Sequence, residues 1–175
     1  MRLFRSFSSV LVLGLVLLSG CNKQPPATTA KEATKAQRAE AALLLSEAEF
    51  AVQLRDHARA EPLLAKAVTI IHDNPDHWLM LGATRKRLGN TSGARAAYRE
   101  ALSLLEKEYK AAPDNIGLVL EQVHAHALLG QADKAKALLE KAGKANPNSR
   151  ELQDFIKGNG LDRLLQEPGF KEIAL

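Results

Sequence analysis

The chain has 175 residues, 46% hydrophobic and 25% charged, with a formal net charge of +4 at pH 7 and a single cysteine. That length suits one domain, and a lone cysteine excludes an internal disulfide, so stability in an oxidising compartment has to come from packing. No basic cluster accompanies the weak positive charge, which excludes nucleic acid as the expected partner.

The first element is "MRLFRSFSSVLVLGLVLLSGC". Arg2 and Arg5 precede an apolar run from Val10 to Leu18 that only Gly14 interrupts, and the small residues Ser19 and Gly20 follow. This layout predicts a secretory signal peptide over 1–20; the apolar run is shorter than the roughly 20 residues of a membrane span. Leu18-Ser19-Gly20-Cys21 resembles the lipobox of bacterial lipoproteins. The resemblance implies cleavage before Cys21, diacylation of its thiol and acylation of the new amino terminus by a chain such as palmitate. Each buried CH₂ contributes about 0.8 kcal/mol, and two or more chains anchor stably where one does not. Asn22 rather than Asp follows the cysteine, which the resemblance reads as sorting to the outer membrane, facing the periplasm. Loss of Arg2 and Arg5 leaves 22 Lys and Arg against 20 Asp and Glu. Residues 21–36 are expected to be the lipidated cysteine and a flexible linker, since "NKQPPATTA" at 22–30 is polar and proline-bearing. The first helix is expected to start between Lys31 and Arg38.

From 37 to 149 the chain repeats itself. In "HWLMLGATRKRLGNTSGARAAYREAL" at 77–102, Trp78, Leu81, Gly82 and Arg85 share one helical face. Gly89 stops that helix, Asn90 or Thr91 can cap the next, and Ala94, Tyr98 and Ala101 recur at helical spacing. The order W-x-x-L-G, G-N, A-x-x-x-Y-x-x-A is similar to a tetratricopeptide repeat, which implies a 34-residue pair of antiparallel helices. With Trp78 fixing the register, the repeats run 41–74, 75–108 and 116–149. Ala60, Leu64 and Ala67 take the second-helix positions of the first copy, and Ala135, Leu139 and Ala142 those of the third. The seven residues between the last two copies are expected to lengthen the middle repeat's second helix to 115, since seven residues is about two turns. Small residues let helices cross at about 8–10 Å: Gly82, Ala60, Ala94, Ala101, Ala135 and Ala142 serve that crossing. The implied fold is all-α, a right-handed α-α superhelix of three repeats. Residues 150–175, with Leu152, Phe155, Ile156, Leu161, Leu164, Leu165, Phe170 and Ile173, are expected to supply one capping helix and a tail over the last repeat.

Motifs for chemistry are missing. The five histidines have no ligand spacing: His124 and His126 lie on different faces of one helix, and no HExxH occurs. Neither GxSxG, SxxK, a P-loop nor GxGxxG occurs. The chain therefore reads as a non-enzyme with no metal and no cofactor.

The family resemblance implies that the first helices line a concave groove. Its candidate binding residues are Leu45, Glu49, Val52, Leu79, Ala83, Lys86, Leu120 and His124. The three leucines would form an apolar stripe for a partner's extended peptide. Two occupants are open at this point: a protein partner in the envelope, or a flanking segment of the chain itself, either before Ala41 or the C-terminal tail. Leu45 and Glu49 stand where chaperone-binding members carry a Lys and Asn clamp, so a chaperone adaptor role is disfavoured. The expected function is a membrane-anchored scaffold or assembly factor of the bacterial cell envelope. The alternatives are a self-associating structural protein and an accessory subunit of an envelope enzyme, and the oligomeric state stays open.

Overall fold

The computed structural model describes residues 33–175. The expected signal peptide, Cys21 and the linker as far as residue 32 lie outside the described residues. All regular elements among the described residues are helical: α1 (Lys35–Gln53), α2 (His57–Ile70), α3 (Pro75–Arg87), α4 (Thr91–Ala111), α5 (Ile116–Leu128), α6 (Ala132–Ala145), α7 (Arg150–Lys157), α8 (Gly160–Gln166) and α9 (Pro168–Ile173). Helices α1 and α2, α3 and α4, and α5 and α6 pair as hairpins. Helix α2 packs on α3, α4 on α5 and α6 on α7, so the hairpins stack in file as an all-α solenoid. No helix among the described residues is long and apolar enough to cross a membrane.

The helix starts follow from capping chemistry. Thr34 and Gln37 form a reciprocal capping box that opens α1. Asp56 accepts from the Arg59 amide at 3.1 Å, Asn74 from Asp76 at 2.8 Å and Asn90 from Gly93 at 2.9 Å. Just past the first helix of each hairpin the chain makes a left-handed turn, at Arg55 (φ 59°), Gly89 (φ 78°) and Gly130 (φ 69°). Glycine adopts that conformation freely, while arginine's Cβ strains against it. The first repeat therefore carries a strained turn where the other two do not.

Two helix ends differ from the sequence expectation. Helix α4 stops at Ala111, not at 115. Pro113 disfavours helical backbone at the residue before it, and Ala112 is already at φ −137°, ψ 69°. Residues 150–175 form three short helices rather than one capping helix and a tail. Gly158 follows α7, the left-handed Asn159 (φ 51°) turns the chain into α8, and Pro168 starts α9 directly after Glu167 closes α8.

Small residues face large ones where the helices cross. Ala60, Ala67, Ala94, Ala101 and Ala135 are fully buried, Ala142 nearly so. A Cβ on Gly82 would run into Cε1 and Cδ1 of Tyr98, so the α3–α4 crossing holds the tyrosine ring only because residue 82 lacks a side chain. One apolar cluster joins the first repeat to the second through Leu45, Ala48, Leu64, Val68, Leu81 and Ala97. Half-buried Trp78 packs against it and donates from Nε1 to the His72 carbonyl at 3.0 Å. A half-buried ion pair between Arg85 Nε and Glu61 Oε1, at 2.8 Å, ties α3 to α2. A larger cluster runs from Ala94 and Tyr98 through Val119, Val123 and Leu139 to Leu152, Leu161 and Phe170. Gln122 is buried at the position that Leu81 holds in the middle repeat, and its amide donates to the Leu118 carbonyl at 3.1 Å, which satisfies the polar group. Exposed Leu43 and Phe50 on α1, with exposed Leu54 at its C-cap, fall on one side of the helix.

The strained turn is testable. Arg55→Gly is expected to raise the unfolding free energy by about 1 kcal/mol, read as a higher midpoint in urea, whereas an unchanged or lower midpoint would show that the turn carries no strain.

Candidate functional site: the concave face and the segment lying on it

The side chains singled out for a groove come from α1, α3 and α5, one first helix per hairpin. The three leucines do not form an open stripe. Leu45 is 9% exposed and belongs to the core of the first repeat. Leu79 is half-buried between the Leu105–Leu118–Ala125 cluster and the larger cluster, and Leu120 is half-buried against the larger one. They fill the spaces between elements instead of lining a floor. Val52 likewise packs on the first-repeat core, Ala83 and Lys86 are half-buried, and Glu49 is exposed.

The structure brings to this face the C-terminal segment, one of the occupants that the sequence leaves open. Helix α9 turns back from α8 and packs against α3. Phe170 is only 5% exposed, and its ring centre lies 5.6 Å from that of His124 on α5, at a 46° tilt. The Tyr98 hydroxyl, on α4, donates to the Ile173 carbonyl at 2.7 Å. The Leu175 amide donates to the Leu128 carbonyl at 2.9 Å, one of the last-turn carbonyls that α5 leaves without an intrahelical partner. Glu172 Oε2 stands 3.8 Å from Arg87 Nε. The Leu175 carbonyl comes so close to Gly130 that a Cβ there would lie 2.7 Å from it. The C-terminal flanking segment therefore lies on this face; the segment before Ala41 lies outside the described residues as far as residue 32. The legible signal was Phe170 and Ile173 at i, i+3 after Pro168, which marks a buried face without naming what buries it.

Charge is divided along the first helices. Val52, Gln53, Arg55, His57, Arg87 and Glu172 line a cleft at the C-terminal ends of α1 and α3. Burial lowers the His57 pKa, and Arg87 and Arg55 lower it further. Asp73 and Asp76 at the start of α3, Glu108 near the end of α4 and Glu121 on α5 line a second cleft. Burial raises the Glu121 pKa, with Asp76 and Glu108 adding to the shift. Helix α3 itself carries Asp76 in its first turn and Arg85, Lys86 and Arg87 in its last, the arrangement its dipole favours.

The histidines are dispersed. His124 meets Phe170, His126 Nδ1 meets Gln131 Oε1 at 3.0 Å, and Nδ1 of both His57 and His77 is buried without a partner. Among the described residues no three His, Cys, Asp or Glu side chains converge in a way that could hold a metal ion.

Two family models described as tetratricopeptide repeat match the chain, one over residues 76–107 and one over residues 94–156. The matches span α3 to α7 and support the repeat reading of the second and third hairpins; the α1–α2 hairpin lies outside both. No curated protein and no solved structure matches the chain.

Burial lowers the His124 pKa from its ordinary 6.5. The unfolded chain then binds a proton that the folded chain resists, so His124's contribution is complete above pH 6.5 and is lost as pH falls through the folded value. In His124→Leu this part of the acid sensitivity disappears. The melting temperature of the wild type should fall further than that of the variant between about pH 7.5 and about pH 5; equal falls would contradict a buried, neutral His124.

Proposed function

We propose that these tetratricopeptide repeats hold a protein partner at the bacterial cell envelope, with the chain leashed to the membrane by lipid on Cys21. The observation that carries the reading is that a segment from outside the three hairpins already rests on the face of α3 and α5, its main chain held by hydrogen bonds at 2.7 Å and 2.9 Å to the Tyr98 hydroxyl and the Leu128 carbonyl. A face that seats one stretch of polypeptide through its backbone has the chemistry to seat another. Tetratricopeptide repeats as a rule are interaction modules without catalysis, and that supports a scaffold or assembly role. The sequence Leu18-Ser19-Gly20-Cys21 supports the lipid anchor, and Asn22 supports the outer membrane, facing the periplasm. A linker of about 10–15 residues would hold the repeats roughly 15–25 Å from the lipid. Confinement to that layer raises the effective concentration of a membrane-bound partner, so a shallow face suffices.

Two experiments test the two halves. Cells fed radiolabelled palmitate should label the wild type, while Cys21→Ala should lose the label and leave the membrane fraction; an unlabelled wild type would remove the anchor. Crosslinked envelopes should yield a partner whose recovery drops about tenfold or more with the double variant Glu49→Arg, Lys86→Glu, since reversed charges meet the partner's own pattern and both changes lie outside the apolar core. Undiminished recovery with an unaltered melting temperature would remove this face as the binding surface.

A further inference from the structure

The manner in which residues 168–175 are held specifies what the covered face binds. Two contacts read the segment's main chain only: the Tyr98 hydroxyl donates to the Ile173 carbonyl, and the Leu175 amide donates to the Leu128 carbonyl. Neither depends on which side chains the segment carries. One side chain is almost fully enclosed, Phe170 beside His124. One is matched by charge, Glu172 near Arg87 in the cleft that Arg55 and His57 also line.

The segment is not the only element over the last hairpin. Helix α7 packs on α5 and α6, and its Leu152 (fully buried) joins Leu161 of α8 in one cluster with Leu139. Helix α9 leaves that end and returns to α3. Its hold is also light. The helix is 6 residues long with no side-chain cap, its entry residues Glu167, Pro168 and Gly169 are exposed, and Ile173, Ala174 and Leu175 are only half-buried. The Glu172 side chain is 67% exposed. A short element with few enclosed groups opens locally at a lower free energy than the core around it.

We propose that 168–175 is an exchangeable occupant of the face formed by α3 and α5. On the reading above that the repeats bind a protein, a partner enters by displacing this segment with one of the same chemistry. That chemistry is an aromatic residue, a carboxylate two residues on, an aliphatic residue three on, and a main chain free to accept from Tyr98 and donate to Leu128. The face is thus self-occupied in the absence of a partner, and weak or mismatched peptides are excluded by competition with the chain's own segment.

The test uses the full chain in detergent and a fluorescent peptide, EPGFKEIAL, which is the chain's own 167–175. Phe170→Ala empties the aromatic position and Glu172→Lys weakens the segment's charge match at an exposed site. Peptide anisotropy should show Phe170→Ala binding about tenfold more tightly than wild type, and Glu172→Lys severalfold more tightly, because each lowers the fraction of chains whose face is already occupied. A control peptide with alanine for phenylalanine should bind neither. If Phe170→Ala does not fold, Glu172→Lys decides. Equal affinity of wild type and the folded variants for the peptide, or no binding to any of them, would overturn the proposal. Wild-type recovery of the envelope partner by both variants, alongside absent peptide binding, would overturn exchange while leaving the protein-binding reading in place.

Discussion

The structure turns on a contact between a residue with no side chain and one of the largest. Gly82 on α3 leaves a gap into which the Tyr98 ring of α4 fits, and the ring is completely buried there. That contact fixes how closely the middle hairpin closes. The same ring belongs to the cluster that reaches α5, α6 and the C-terminal helices, so the middle hairpin's geometry is passed to the third. The hydroxyl at its far end then reaches Ile173. Burial raises the Tyr98 pKa above its usual range, which keeps the hydroxyl protonated and able to donate. One side chain thereby couples the crossing of two helices, the core between repeats and the seating of the final segment.

Much of this is legible in the sequence. Alanines recurring with Leu64, Tyr98 and Leu139 betrayed the second helices, because close crossings tolerate only small residues beside a single large one. Gly89 and Gly130 marked the turns. The hairpin pattern did not reveal the occupant of the concave side. Leu45, Leu79 and Leu120 sit at matching positions, and a matching position says that a residue is apolar, not whether its neighbour is protein or water. One of the bonds that seat the final segment ends on the Leu128 carbonyl, and a main-chain group leaves no trace in sequence. Phe170 and Ile173 announced burial; only the turn set by Asn159 and Pro168 decides which surface they meet.

The functional picture joins these two scales. In the proposed picture lipid on Cys21 would set where the repeats work, and the repeats set what they can hold. The face carries basic groups at one end of the first helices and carboxylates at the other, so a bound polypeptide meets an oriented charge pattern, not a uniform one. The basic end already receives Glu172. Polar orientation, a single aromatic socket and main-chain bonds are together enough to align a short segment without a deep pocket, which the exposed, shallow geometry of three hairpins would not supply.

The most direct check on the central contact is a double-mutant cycle between positions 82 and 98, with unfolding free energies from urea titration of the wild type, Gly82→Ala, Tyr98→Leu and the double variant. Overpacking against an enclosed ring costs about 1–3 kcal/mol, more than the roughly 1 kcal/mol of helix propensity that alanine gains over glycine. The account predicts that Gly82→Ala is destabilising while the tyrosine ring is present, and neutral or stabilising in the Tyr98→Leu background, a coupling of about 1 kcal/mol or more. Strictly additive effects would contradict it.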